Sequence, residues 1–146
     1  NSEAMIERIF SLVKKNAGNL PAGNPNVEKY RDEMIIEASS SIIDGIKSYL
    51  DNGKFSEILE FFKQCPPNCS LVKSISNKFA SRLGRFYDIG MEEGRVIASA
   101  LIPTALADLV QNASSSEDES FNVVSLLSYI NGRFVDFNDV ATRLSA

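Results

Sequence analysis

The residues best equipped for chemistry in this 146-residue chain are two cysteines, Cys65 and Cys69, with Pro66, Pro67 and Asn68 between them. A structural zinc site needs four ligands, usually thiolate or imidazole. Two cysteines and no histidine cannot complete one within a single chain. The spacing of three also differs from the two-residue spacing of redox Cys-X-X-Cys pairs. Three states stay open: free thiols, which the pattern favours, a local disulfide if the Cα atoms come close enough, or a metal shared between subunits. The absence of histidine also removes the commonest general base.

Charged groups give two further candidates. Glu92 and Glu93 are adjacent carboxylates, but they open a helix, where acidic groups complement the positive end of the helix dipole. Lys73, Lys78, Arg82 and Arg85 fall along one flank of a predicted helix. They form a possible phosphate-contact stripe if that helix and the next act as a helix-turn-helix. The simpler reading is a solvated flank beside an apolar seam. With 15 basic against 19 acidic residues and a net charge of −4, the chain lacks the basic excess usual for nucleic-acid binding. The turn at Asn131-Gly132 superficially echoes a calcium loop. Aligned on Gly132, its ligand positions fall on Leu127, Tyr129, Asn131 and Asn138, and no bidentate glutamate is supplied. It is a turn. No phosphate loop or nucleophile elbow occurs.

The elements that must position these groups are helical. Met5, Ile6, Ile9, Phe10, Leu12 and Val13 give one apolar face, stopped by Asn16-Ala17-Gly18. Residues 19–26, with Pro21, Gly23 and Pro25, read as an extended connection. A long helix is expected over 27–50, with Met34, Ile35, Ala38, Ile42, Ile46, Tyr49 and Leu50 on its buried side. Ser39-Ser40-Ser41 supplies its polar side or a close-packing surface. A short helix over 55–62 ends before the two prolines. Leu71, Ile75, Phe79, Leu83 and Phe86 define another over 70–87, closed by Gly90.

The stretch 90–110 is apolar almost all round from Val96 onward, so it is expected to be the enclosed central helix. Pro103 should kink it, with Ser99 Oγ relieving the strained turn. Residues 112–120, serine-rich and acidic, read as a mobile loop. Short helices over 122–130 and 138–144 complete the chain. Phe55-Ser56, Phe121-Asn122 and Phe137-Asn138 each place an aromatic before an N-cap residue, a hydrophobic staple over a helix start. The irregular spacing of these pairs excludes a solenoid.

Ile89-Gly90-Met91-Glu92-Glu93-Gly94, then Ala98-Ser99-Ala100-Leu101-Ile102-Pro103 and Leu106-Ala107-Asp108-Leu109-Val110, resembles the YidB-like family of small bacterial helical proteins. The opening 5–18 and the segment 38–47 are similar to Bacteroidetes members. The resemblance implies an all-helical, partly homeodomain-like core of unknown function, and brings no catalytic residues. The segment from Cys65 to Cys69 stands where the family has a glycine-rich loop.

The sequence therefore predicts one all-α domain over 1–146, six or seven helices around a Pro-kinked central helix, with 1–4 reading as an appended remnant. The apolar run 96–110 is too short for a membrane span, and the N-terminus lacks a signal layout; a cytoplasmic location is expected. No cofactor is implied. Phe61, Phe62, Phe86, Tyr87 and Ile89 are expected to form a second aromatic cluster, buried as core or left as a partner groove. The function expected is non-catalytic, a protein-interaction or structural module with an unknown partner or a second copy of itself. The alternative is nucleic-acid binding through the helices over 70–87 and 92–110.

Overall fold

A computed structural model describes residues 2–64, 68–114 and 121–132. Six α-helices and one 3-10 turn make up these residues: α1 (Ser2–Asn16), the turn Ala17–Asn19, α2 (Pro25–Asp51), α3 (Phe55–Gln64), α4 (Ser70–Tyr87), α5 (Met91–Ser114) and α6 (Val123–Asn131). The all-α expectation holds. One core cluster draws side chains from all six helices, including Ile9, Met34, Phe61, Phe79, Leu106 and Leu127. The expected helix over 138–144 lies outside the described residues, as does most of the expected loop over 112–120.

Three packed rods set the architecture. α4 and α5 run antiparallel, with the Gly94 Cα position against Ala80 and Ser99 and Pro103 beside Val72. α2 runs antiparallel to α4 on its other side, with Tyr49 bonded to Ser70 and Tyr30 stacked on Tyr87, ring centroids 5.0 Å apart. α1 returns along α5, where Asn16 Nδ2 donates to Asp108 Oδ2 at 2.8 Å. A glycine makes the α2–α4 approach possible. A Cβ on Gly45 would overlap Ile75 Cγ1, whose side chain is fully buried.

Several boundaries differ from the sequence expectation, each for a local reason. α2 begins at Pro25, inside the expected connection, because Asn24 Oδ1 accepts from the amides of Asn26 and Val27 and proline at the first helical position loses no bond. The backbone of α2 departs from helical angles at Tyr30, not at a proline. α5 instead runs through Pro103 as one helix, and Ser99 lines an outer groove with Pro103 without bonding the turn. α4 is closed by Asp88 in the left-handed conformation (φ 54°), with the Ile89 amide reaching Leu83 O, before Gly90 is reached. α3 includes Phe55 within the helix, so Ser56 is not its N-cap. The expected cap at Asn122 is present as a reciprocal pair with Ser125, and Phe121 is buried beneath the Arg8 guanidinium.

α5 extends to Ser114, which makes Asn112–Ser114 helical where a loop was expected. With 24 residues and a mean hydropathy of 1.3 in its most apolar window, it is long and apolar enough to cross a membrane on those grounds alone. The expectation that it is too short came from counting only its apolar run. In the fold it is not enclosed all round. Leu101, Ile102, Ala105 and Leu106 are buried, while Glu92, Arg95, Val96, Ser99 and Ala107 mark an exposed stripe. Val96 and Ala107 on that stripe raise the apolar count without needing cover.

Candidate functional site

α4 contains four basic residues and no acidic one, in a chain of net charge −4. Its register sends these four charges two ways. Arg82 turns toward α2, where Nη2 pairs with Asp44 Oδ2 and Nη1 donates to Ser40 Oγ and Ser41 Oγ at 3.1 and 3.2 Å. Ser41 is fully buried, so Arg82 satisfies a hydroxyl that water cannot reach. The serine triplet of α2 is thereby explained. Ser39 bonds back to Ile35 O, and its two neighbours receive Arg82.

Lys73, Lys78 and Arg85 stay on the outer side. They line a surface of adjoining hollows: Lys73, Arg85 and Arg95 of α5 along the α4–α5 seam, and Lys78 with Arg82 and Arg85 on the outer face of α4. Its wider end, near the α4–α5 turn, holds about 450 Å³ between Asn77, Ser81, Gly84, Ile89, Met91 and Arg95. Its far end lies between Asn68, Ser76, Ser99 and Pro103. No acidic side chain is among the lining residues. Lys73 and Lys78 make no ion pair with any described residue. Arg85 rests over its neighbour Phe86, 5.9 Å from the ring centre. Arg95 forms an exposed pair with Glu92 at 3.2 Å, a contact worth about 0.3–0.5 kcal/mol and easily exchanged.

The paired carboxylates at the start of α5 are engaged in structural contacts. Glu93 holds two helix starts together, accepting from Asn24 Nδ2 and Asn26 Nδ2 at 3.0 and 3.1 Å, and Glu92 pairs with Arg95. Among the described residues no three of cysteine, aspartate and glutamate gather as metal ligands. Cys69 is a half-buried free thiol just before α4, and Cys65 lies outside the described residues. No periodicity or motif marks Asn16, Asn19, Asn24 and Asn26, which fasten the first connection lengthwise onto Asp108, Thr104 and Glu93 of α5.

The aromatic residues expected to cluster are divided between the two ends of α4. Phe61 and Phe62 are buried core at its start, edge to face at 5.1 Å. Phe86 is 59% exposed at its end, and Tyr87 stacks on Tyr30. The eighteen residues of α4 separate the pairs, so they line no common groove. Burial, then the carboxylates of Glu37 and Glu33, push the Tyr87 phenol above its ordinary value.

α4 and α5, the pair expected to form the alternative helix-turn-helix, lie antiparallel, with Gly94 against Ala80 near one end and Ser99 and Pro103 beside Val72 toward the other. The inner face of α5 is core. Comparison with family models, curated proteins and solved structures gives no match to this chain.

Proposed function

We propose that this chain is a non-catalytic interaction module whose partner-binding surface is the outer side of the α4–α5 hairpin. One observation carries the reading. On an acidic protein, the hollows along and beside that hairpin are charged only by basic residues, Lys73, Lys78, Arg82, Arg85 and Arg95, and Met91, 69% exposed, stands at the rim. Exposed apolar side chains ringed by polar groups are the usual make-up of a protein-binding patch. The YidB-like resemblance, a bacterial cytoplasmic setting and α5 as a core helix belong to the same proposal. The packing of α5 on α1, α3, α4 and α6 supports the core assignment.

A photo-crosslinking amino acid placed at Ser81, in the groove, and at Ser48, on the exposed side of α2, tests it in a native-source lysate. A protein cross-linked from Ser81 and not from Ser48 supports the reading. Cross-links to nucleic acid alone would favour the alternative, in which the same cations contact phosphates. Capture only from Ser48, or from neither site with a monomeric mass by light scattering across concentrations, sinks it.

A further inference from the structure

We infer that the occupant of the α4–α5 groove is an acidic segment of a protein partner, one chain thick, whose carboxylates meet Lys73, Lys78, Arg85 and Arg95. This rests on the reading of the hairpin as a partner surface and adds the chemistry of what it takes.

Charge complementarity is the first argument. A lining of five cations, Arg82 included, without an acid is a local reversal of the chain's net charge of −4. Like-signed potential elsewhere repels an acidic partner and leaves this seam as the favourable approach, which is how charge selects a docking site. Arg82 sharpens the point. It borders the same outer hollow as Lys78, but its charge is already met by Asp44, while the charges of Lys73 and Lys78 meet no described counter-ion.

Size and floor argue for a peptide rather than a nucleic acid. Packed helices lie about 8–10 Å apart, so the seam between them seats one strand or one helix of peptide. Lys73 to Arg85 covers about 18 Å at 1.5 Å per residue, which about 12 residues of helix or about 6 of extended chain would match. The floor combines Ala80, Gly84, Ser81 and Ser99, which let a backbone come close, with Ile89 and Met91 as an apolar seat. A duplex would meet only this handful of cations, and few phosphate contacts leave weak, strongly salt-dependent binding.

The probe is a fluorescein-labelled peptide of about 12 residues built from Glu, Leu and Ala, beside the same peptide with Gln for every Glu. It is titrated into the full chain by fluorescence anisotropy, with amide shifts followed by NMR. The expected result is binding that moves amides of residues 73–85 and 91–103. The Gln peptide and the double variant Lys78→Glu/Arg85→Glu should each weaken it by about tenfold or more. Lys47→Glu/Lys63→Glu, placed on α2 and α3, should leave it within about twofold. A circular-dichroism melt equal to that of the parent shows that each variant is folded.

Equal binding of the Gln peptide, equal loss in both charge reversals, shifts outside the groove, or a random duplex that displaces the peptide more tightly overturns the inference. If no peptide binds while Ser81 still cross-links a protein through a non-acidic segment, this inference falls and the partner-surface reading stands. If neither occurs, both fall.

Discussion

Arg82 and Arg85 sit three residues apart on the same helix and have opposite fates. Arg82 faces α2, where Ser40, Ser41 and Asp44 take up its donors. Arg85 faces solvent over Phe86 and the groove. Around the first, α4 is sealed, with Gly45 admitting Ile75 and Tyr87 stacked on Tyr30. Around the second, small polar side chains and unopposed cations leave the seam open. A helix packed between two neighbours has one side committed to stability, and only its remaining side is free to vary with function. The identity of the residue does not tell which role it has. What does is the side it falls on.

The sealed side should respond most strongly to mutation. Gly45→Leu forces a branched side chain into Ile75 and is expected to destabilise the fold by about 3 kcal/mol, near the upper end for overpacking, read as a lower urea midpoint at unchanged slope. An unchanged midpoint would mean that the α2–α4 approach is loose. Next comes Arg82→Ala, expected to cost about 1–2 kcal/mol, chiefly by leaving the Ser41 hydroxyl buried without its donor. Asp44 is 45% exposed, so its share is reduced by solvent. A double-mutant cycle with Asp44→Ala should return a coupling of about 1 kcal/mol or less, and zero coupling would dissolve the contrast with Arg85.

A smaller effect is expected at alkaline pH. The Tyr87 phenol is raised above its ordinary value of 10.0 in the fold. Above that pH the unfolded chain releases the proton first, so it binds fewer protons than the native state and stability falls as pH rises. That contribution is complete below the ordinary value and gone once pH passes the raised one. Tyr87→Phe should flatten this alkaline loss in pH-dependent urea melts, and an unchanged slope would assign it to other groups. Smallest of all, Lys78→Glu/Arg85→Glu should shift stability by no more than about 0.5 kcal/mol. A larger loss in thermal or urea melts would show the groove wall to be structural.

Helical periodicity made the elements readable. Leu71, Ile75, Phe79 and Leu83 recur at helical spacing, and α4 spans the expected residues 70–87. Asn122 before a run of apolar residues identified a real cap. The same local reasoning could not place Arg82, whose partners lie 38–42 residues away and carry no spacing signal. It therefore grouped Arg82 with Lys73, Lys78 and Arg85 as one flank. It also merged Phe61 and Phe62 with Phe86 and Tyr87, because composition does not record that α4 holds the pairs apart. Pro25 was read as part of a connector because Asn24 as its cap was overlooked. Arg95, which lines the same surface, was missed because it lies on a different helix from the other cations.

The bond from Asn16 to Asp108 joins residues 92 positions apart, and that separation has a bearing on the order in which the molecule assembles. α4 and α5 need only a three-residue turn to meet, so their docking closes a minimal loop. Bringing α1 onto α5 closes a loop spanning 92 positions, and long-range contacts of this kind carry the greater entropic cost and form later. The α4–α5 seam then belongs to the early-forming, slow-exchanging part of the protein. α1, held on its polar side by Asn16 and Lys15 on Asp108 and by Arg8 over Phe121, becomes the segment whose amides open to solvent without the rest coming apart.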